Sequence, residues 1–104
     1  MLTGVTLGLI NVSSYIPAAF YLHQNYPNPF NPVTNIKFNL TDASFVKLIV
    51  FDIQGREIET LVNEKLDAGV YAAGWNASDM PSGVYLYKIE TAKFSEVKKM
   101  ILLK

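Results

Sequence analysis

The sequence predicts an antiparallel β-sandwich of about seven strands with no substantial helix. Short runs of alternating apolar and polar residues recur, and Gly, Pro, Asp and Asn separate them as turn signals. No long segment keeps the 3.6-residue period of an amphipathic helix. Hydrophobic residues make up 50% of the chain and charged residues only 17%, which favours strands over disorder.

The size and composition exclude several classes of protein. A chain of 104 residues is one domain and buries a hydrophobic core without disulfides or metals. The absence of cysteine excludes a disulfide framework, a thiolate metal site and a cysteine nucleophile. Nine basic and nine acidic residues cancel, so the charge does not indicate a nucleic-acid partner. No run reaches the roughly 18 apolar residues of a transmembrane helix.

Residues 1–20 form an N-terminal apolar segment. Its first sixteen residues carry no charge and lack the basic region of a signal peptide. We therefore expect that the chain is a piece of something longer or that Met1 is not its natural start. The segment is interpreted as a leader remnant, a linker or a donor strand, and Val5, Leu7 and Leu9 are the candidates for an assembly strand.

Residues 21–34, which read YLHQNYPNPFNPVT, form a Pro/Asn-rich lead-in to the domain. Its three prolines remove backbone donors and favour extended or turn-rich geometry over helix. We expect Tyr26 and Phe30 to hold the lead-in on the edge of the domain. A flexible linker is the alternative.

Strands and turns alternate from residue 35 onwards. Ile36–Leu40 alternates with period two, and Val46–Phe51 is apolar enough for a central strand. Gly55 supplies the positive φ of a tight hairpin turn. Glu57–Val62 is predicted to be the next strand, followed by a longer turn over Asn63–Gly69.

The second half continues the pattern. Trp75, the only tryptophan, is predicted to fill the core of a strand over residues 70–76. A turn over residues 79–83 leads into a strand over residues 84–92 with Val84 and Leu86 inward and Tyr85 and Tyr87 outward. Residues 96–103 form the last predicted strand.

The available side chains do not indicate catalysis. His23 is the single histidine, so neither a Ser-His-Asp triad nor a multi-histidine metal cage is expected. Asp residues stand beside predicted turns, where Asp bonds its own backbone. A glycosidase-like carboxylate pair and a Ca²⁺ site from loop oxygens are weaker alternatives. We expect no enzyme activity, no catalytic residue, no metal, no cofactor and no small-molecule substrate.

The end of the chain, KKMILLK at residues 98–104, is the most unusual feature. It is interpreted either as an edge strand that lysines protect against aggregation or as a recognition tag. In the second interpretation a receptor reads the strand edge and the terminal carboxylate. The physics of the sequence favours neither.

Five motifs, in order, resemble the type IX secretion system C-terminal sorting domain (type A). They are LHQNYPNPFNP with TNIKF, VKLIVF with DIQGR, Ala68-Gly69 with Trp75, SGVY at residues 82–85, and the terminal KKMILLK. The resemblance implies an immunoglobulin-like (Ig-like) β-sandwich over residues 21–104, related to the Ig-like module of flagellar hook-cap proteins.

The resemblance also implies a function. In Gram-negative bacteria such as the Bacteroidetes, a non-catalytic domain of this kind directs a protein through the periplasm and across the outer membrane. The protein is then secreted or held at the cell surface. The implied partners are an outer-membrane shuttle, the translocon and a surface sortase that removes the domain.

The resemblance assigns residues to two roles. Partner recognition is carried over to Lys98, Lys99, Met100, Ile101, Leu102, Leu103 and Lys104. Positions of the fold motif are Tyr26, Pro27, Pro29, Phe30, Gly55, Arg56, Trp75, Gly83 and Tyr85.

The alternative function is a self-assembling Ig-like subunit of an extracellular filament or surface layer. A charge-free strand from the N-terminal apolar segment would complete the sheet of a neighbouring copy and give a homo-oligomer or filament. Deleting residues 2–18 without a change in oligomer size would contradict this alternative.

Overall fold

A computed structural model describes residues 8–104 as eight β-strands, with no helix within that range. In chain order the strands are β1 Leu9–Ser13, β2 Tyr21–Leu22, β3 Val33–Leu40, β4 Ser44–Asp52, β5 Glu57–Leu66, β6 Gly69–Asn76, β7 Gly83–Glu90 and β8 Ser95–Leu102.

The strands form two four-stranded antiparallel sheets, whose buried faces pack against each other and form one hydrophobic core. Sheet A has the order β1-β6-β3-β2, and sheet B has the order β5-β4-β7-β8. Sheet A thus contains β2, β3 and β6, and sheet B contains β4, β7 and β8. This division of the strands between two sheets is the arrangement of immunoglobulin-like sandwiches. The Tyr85 hydroxyl donates to the Pro81 carbonyl at 2.7 Å and makes the tyrosine corner of such folds. The predicted fold class is confirmed.

The core follows the alternation in β3 and β4. Ile36 and Phe38 in β3 and Leu48 and Val50 in β4 are all fully buried in one core cluster. Trp75 in β6 is 1% exposed, as predicted. Burial of large side chains from both sheets supplies most of the driving force for folding of a domain this small.

Strand β5 is longer than the sequence predicts. Register with β4 continues from Leu48↔Val62 to Ser44↔Leu66, so the predicted turn over Asn63–Gly69 is wrong for residues 63–66. Val62 and Leu66 are both buried, and this burial carries the strand past the polar residues between them.

The predicted orientation of β7 is also wrong. Tyr85 and Tyr87 point into the core, whereas Val84 is exposed and Leu86 is half-buried. Each tyrosine hydroxyl donates to a backbone carbonyl at 2.7 Å, so the large rings are buried without leaving a polar atom unpaired.

The lead-in packs on the sandwich. Strand β2 pairs with β3, and Phe30 is 2% exposed beside Trp75, with ring centroids 5.8 Å apart. Tyr26, in contrast, is 79% exposed, so the expectation that its ring holds the lead-in is wrong. Its backbone makes the contact instead, through two hydrogen bonds with Asn35 at 2.9 and 3.0 Å.

The described part of the N-terminal apolar segment lies in sheet A. Strand β1 pairs with β6 of the same chain, with Leu9 opposite Ala73 and Ser13 opposite Val70. Leu9 is half-buried against the core. Val5 and Leu7 lie outside the described residues.

Candidate functional site: the C-terminal strand

Strand β8 lies at the edge of sheet B, and its alternation divides the predicted recognition residues into two sets. Met100 and Leu102 are 0% exposed and belong to the core. Lys99, Leu103 and Lys104 are exposed, and Ile101 is half-buried. Lys98 is half-buried beside Glu96, 3.4 Å from its carboxylate. The folded domain therefore offers only the outward set to a partner.

The outward side chains of β8 continue onto β7. Ile101 lies opposite Val84, and Lys99 lies opposite Leu86. The β7–β8 outer face is defined here by six residues: Val84, Leu86, Val97, Lys99, Ile101 and Leu103. Val97 and Leu103 are 51% and 56% exposed, so the face is apolar with Lys99 in it and Lys88 beside Val97. Apolar patches with charged neighbours mark interaction surfaces on small proteins.

The backbone edge of β8 is closed along its C-terminal half. The Ile101 N–H donates to Asn28 Oδ1 at 3.0 Å, and the Phe30 N–H donates to the Ile101 carbonyl at 2.9 Å. The Leu103 N–H donates to the Phe30 carbonyl at 3.0 Å, and Gln24 Nε2 donates to the Lys99 carbonyl at 2.7 Å. The position of β8 in the sheet order is that of an edge strand, yet this half of its edge is already paired.

The chain end is held near the start of β7. The Lys104 backbone N–H donates to Ser82 Oγ at 2.9 Å, and Lys104 Nζ donates to the Ser78 carbonyl at 2.5 Å. Gly83 and Tyr85 follow directly in β7. The last residues therefore have a defined position on the domain.

Gly55 and Arg56 lie in the turn between β4 and β5. Arg56 lines an open groove of about 600 Å³ together with Gly83 and Tyr85. Gly55 has φ +85, as a tight turn requires. Asp52 accepts the backbone N–H of Arg56 at 3.0 Å, and this bond is the main reason that the pKa of Asp52 lies below its usual value. The Arg56 side chain adds a bond to Asp52 at 2.7 Å.

The prolines of the fold motif are exposed, and their surroundings are polar. Thr34 Oγ1 donates to the Pro27 carbonyl at 2.8 Å, and Asn25 Nδ2 reaches both atoms within 3.1 Å. Pro29 lies between Asn28 and Phe30, the two residues that bond Ile101. The structure thus places the lead-in motif next to the C-terminal motif, although they are far apart in sequence.

Sequence reasoning missed Gln24, Asn25 and Asn28. Their side chains or backbone supply the bonds that join the lead-in to β7 and β8. The available signal was the alternation of Asn with Pro, because an amide side chain supplies the donors and acceptors that proline lacks.

Two carboxylates outside the C-terminal strand are held in ion pairs. Within residues 8–104 no cluster of three His, Asp or Glu side chains could hold a metal ion. The Asp42 carboxylate is paired with Lys93 at 2.7 Å, and Asp52 is paired with Arg56. No helix in the same range is long and apolar enough to cross a membrane. The arrangement is suited to recognition through a surface.

The structure is thus a small immunoglobulin-like domain whose C-terminal strand lies at the edge of one sheet. A family model described as "secretion system C-terminal sorting domain" matches residues 24–103, and the chain belongs to this family. The matched domain is a sorting signal for type IX secretion, and the secretion machinery recognises it. The protein is exported to the cell surface or secreted.

A solved structure of PorZ, an essential bacterial surface component of the type IX secretion system of Porphyromonas gingivalis, is similar to this chain. The TM-score is 0.54 with 21% identity, over 82% of this chain and 11% of the PorZ chain. At this identity the likeness shows the shared fold. No curated protein matches the chain.

Proposed function

We propose that the β7–β8 outer face and Lys104 are the part of the sorting domain that the secretion machinery reads. The protein first passes through the periplasm. An outer-membrane shuttle then binds this face and delivers the protein to the translocon. A surface sortase finally removes the domain over residues 21–104.

The observation that carries the proposal is the division of the C-terminal motif by the pleat of β8. Met100 and Leu102 stabilise the core, whereas Lys99, Ile101 and Leu103 point away from it. Apolar anchors that become fully desolvated contribute most to protein–protein affinity. A nearby lysine favours an acidic partner surface and speeds association. The shuttle is therefore expected to offer an apolar depression with a carboxylate at its rim.

Export of a fluorescent reporter tests this proposal. The reporter carries a Sec signal and the full chain at its C-terminus, in a host with an intact type IX system. The variant Lys99→Glu with Leu103→Asp changes the β7–β8 outer face. The matched control, Lys37→Glu with Ile10→Asp, changes exposed residues on the outer face of sheet A.

We expect about tenfold less exported reporter with the first variant, because a loss of ~1.4 kcal/mol in binding reduces affinity tenfold. The control is expected to be exported like the wild type. Trp75 fluorescence checks that both variants are folded. Equal export of both variants would contradict the assignment of the face.

The sortase step has its own measurement. The mass of the exported reporter reports whether the domain has been removed, and a host without the sortase should export the intact fusion. No contact within residues 8–104 favours the self-assembling filament subunit, since β1 pairs with β6 of its own chain.

A further inference from the structure

The edge of β8 that points away from β7 is where a further strand could be added to sheet B. In an antiparallel pair, alternate residues direct both backbone groups to the same side of the strand. Both backbone groups of Ile101 bond outside the β7–β8 pair. The same parity directs the groups of Ser95, Val97, Lys99 and Leu103 away from β7. An extended partner segment would pair with these residues and Ile101.

A segment of the chain itself already occupies the C-terminal half of this edge. We define residues 24–30 as the edge strap. Four hydrogen bonds of 2.7 to 3.0 Å join the strap to the outward groups between the Lys99 carbonyl and the Leu103 N–H. The strap does not reach the N-terminal half of the edge, where both backbone groups of Ser95 and Val97 and the Lys99 N–H point away from β7.

The edge strap is also anchored to the core of the domain at two positions. At its start, the Asn25 N–H donates to the buried Tyr87 hydroxyl at 2.8 Å. At its end, Phe30 is buried in the core next to Trp75. A strand that displaced the strap would break four hydrogen bonds and expose the buried Phe30 ring to water.

We propose that the edge strap closes the C-terminal half of β8 against strand addition, so that a partner reads this half through its outward side chains and not through its backbone. This inference rests on the proposed function and adds the mode of recognition to it. A bare edge strand invites pairing with other unfolded or folded chains. The strap prevents such pairing along the C-terminal half of β8 and leaves the side chains of Lys99 and Leu103 accessible.

Amide hydrogen exchange of the full chain tests the closure. Asn28→Ala removes the acceptor of the Ile101 N–H, whereas Asn28→Asp keeps an oxygen at that position. Asn31→Ala is the matched control, because Asn31 is an exposed asparagine of the same lead-in and its side chain makes none of the contacts to β8. The Met100 amide, on the inward parity, is the internal reference.

We expect the Ile101 amide to exchange at least about tenfold faster in Asn28→Ala, with a smaller increase at Leu103. Asn28→Asp should restore the wild-type rate, and the Met100 rate should not change in any variant. An unchanged Ile101 rate in Asn28→Ala would overturn the closure. Equal acceleration of Ile101 and Met100 would also overturn it, because the strap would then support the whole fold and not the edge.

The export assay separates this inference from the proposed function. Reading through side chains predicts that Asn28→Ala is exported like the wild type and that Lys99→Glu with Leu103→Asp is not. If Asn28→Ala raised export, the machinery would pair with the opened edge, and the mode of recognition would be wrong while the sorting function stood. If the variant Lys99→Glu with Leu103→Asp were exported like the wild type, the assignment of the β7–β8 outer face would be wrong.

Discussion

The buried hydroxyl of Tyr87 accepts a hydrogen bond of 2.8 Å from the backbone N–H of Asn25. It also donates to the His23 carbonyl at 2.7 Å. Two backbone groups of the lead-in, the Asn25 N–H and the His23 carbonyl, therefore depend on one side chain of sheet B. This contact joins segments more than sixty residues apart and brings the lead-in to the edge of β8.

Tyr87→Phe is expected to lower the free energy of unfolding by about 1–3 kcal/mol, because it leaves the Asn25 N–H buried without a partner. Urea denaturation followed by Trp75 fluorescence measures this change. Tyr85→Phe is the matched control, since it leaves only the Pro81 carbonyl, near the surface, without its donor. An equal loss in both variants would contradict the special role of Tyr87.

Tyr87 also predicts a decline of stability in alkali. Burial raises the pKa of Tyr87 to about 12, above the value of 10.0 that an unfolded tyrosine has. Its neutral form stabilises the fold fully below pH 10 and loses this contribution as the pH rises through about 12. The variant Tyr87→Phe should show a shallower decline over this range. Identical pH profiles of the wild type and the variant would contradict the assignment.

Trp75→Ala is expected to destabilise the domain by about 3–5 kcal/mol, because it leaves a large cavity between the sheets. Thermal unfolding by circular dichroism measures the effect without the tryptophan signal. Tyr15→Ala serves as control, since Tyr15 is exposed and should change stability by less than about 0.5 kcal/mol. A loss below about 1 kcal/mol at Trp75 would contradict its position in the core.

Gly69→Ala is expected to detach β1 from sheet A. A Cβ at Gly69 would lie 2.9 Å from the Ser13 carbonyl oxygen, and its φ of +152 is unfavourable for other residues. Amide exchange in residues 9–13 should increase, with little change in sheet B. Gly55→Ala, which meets open space at φ +85, should cost about 1–2 kcal/mol without affecting β1.

Asp52→Asn is expected to lower stability at neutral pH and to flatten its dependence on acid. The Arg56 N–H holds the pKa of Asp52 below 3.8, so the carboxylate stabilises the fold above pH 3.8 and loses this effect as the pH falls through the folded pKa. Denaturation at several acidic pH values measures the slope. Arg56→Ala keeps the backbone bond and should therefore have the smaller effect; the reverse order would contradict the assignment.

The sequence by itself determined the local features of this protein. Period two in β3 and β4, the turn at Gly55 and the burial of Trp75 were predicted, because each depends on neighbouring residues or on one bulky apolar side chain. The order of the five motifs indicated the family, which the match over residues 24–103 shows.

The tertiary structure decided which face of β7 is buried, how far β5 extends and what covers β8. Tyr85 and Tyr87 can point inward because the Pro81 and His23 carbonyls accept hydrogen bonds from their hydroxyls. Asn28 bonds Ile101 across 73 positions of sequence. These hydrogen-bond partners meet only when the sheets pack, so the pattern of neighbouring residues in the sequence does not predict them. The same packing buries Met100 and Leu102 and leaves Lys99 and Leu103 of the C-terminal motif exposed.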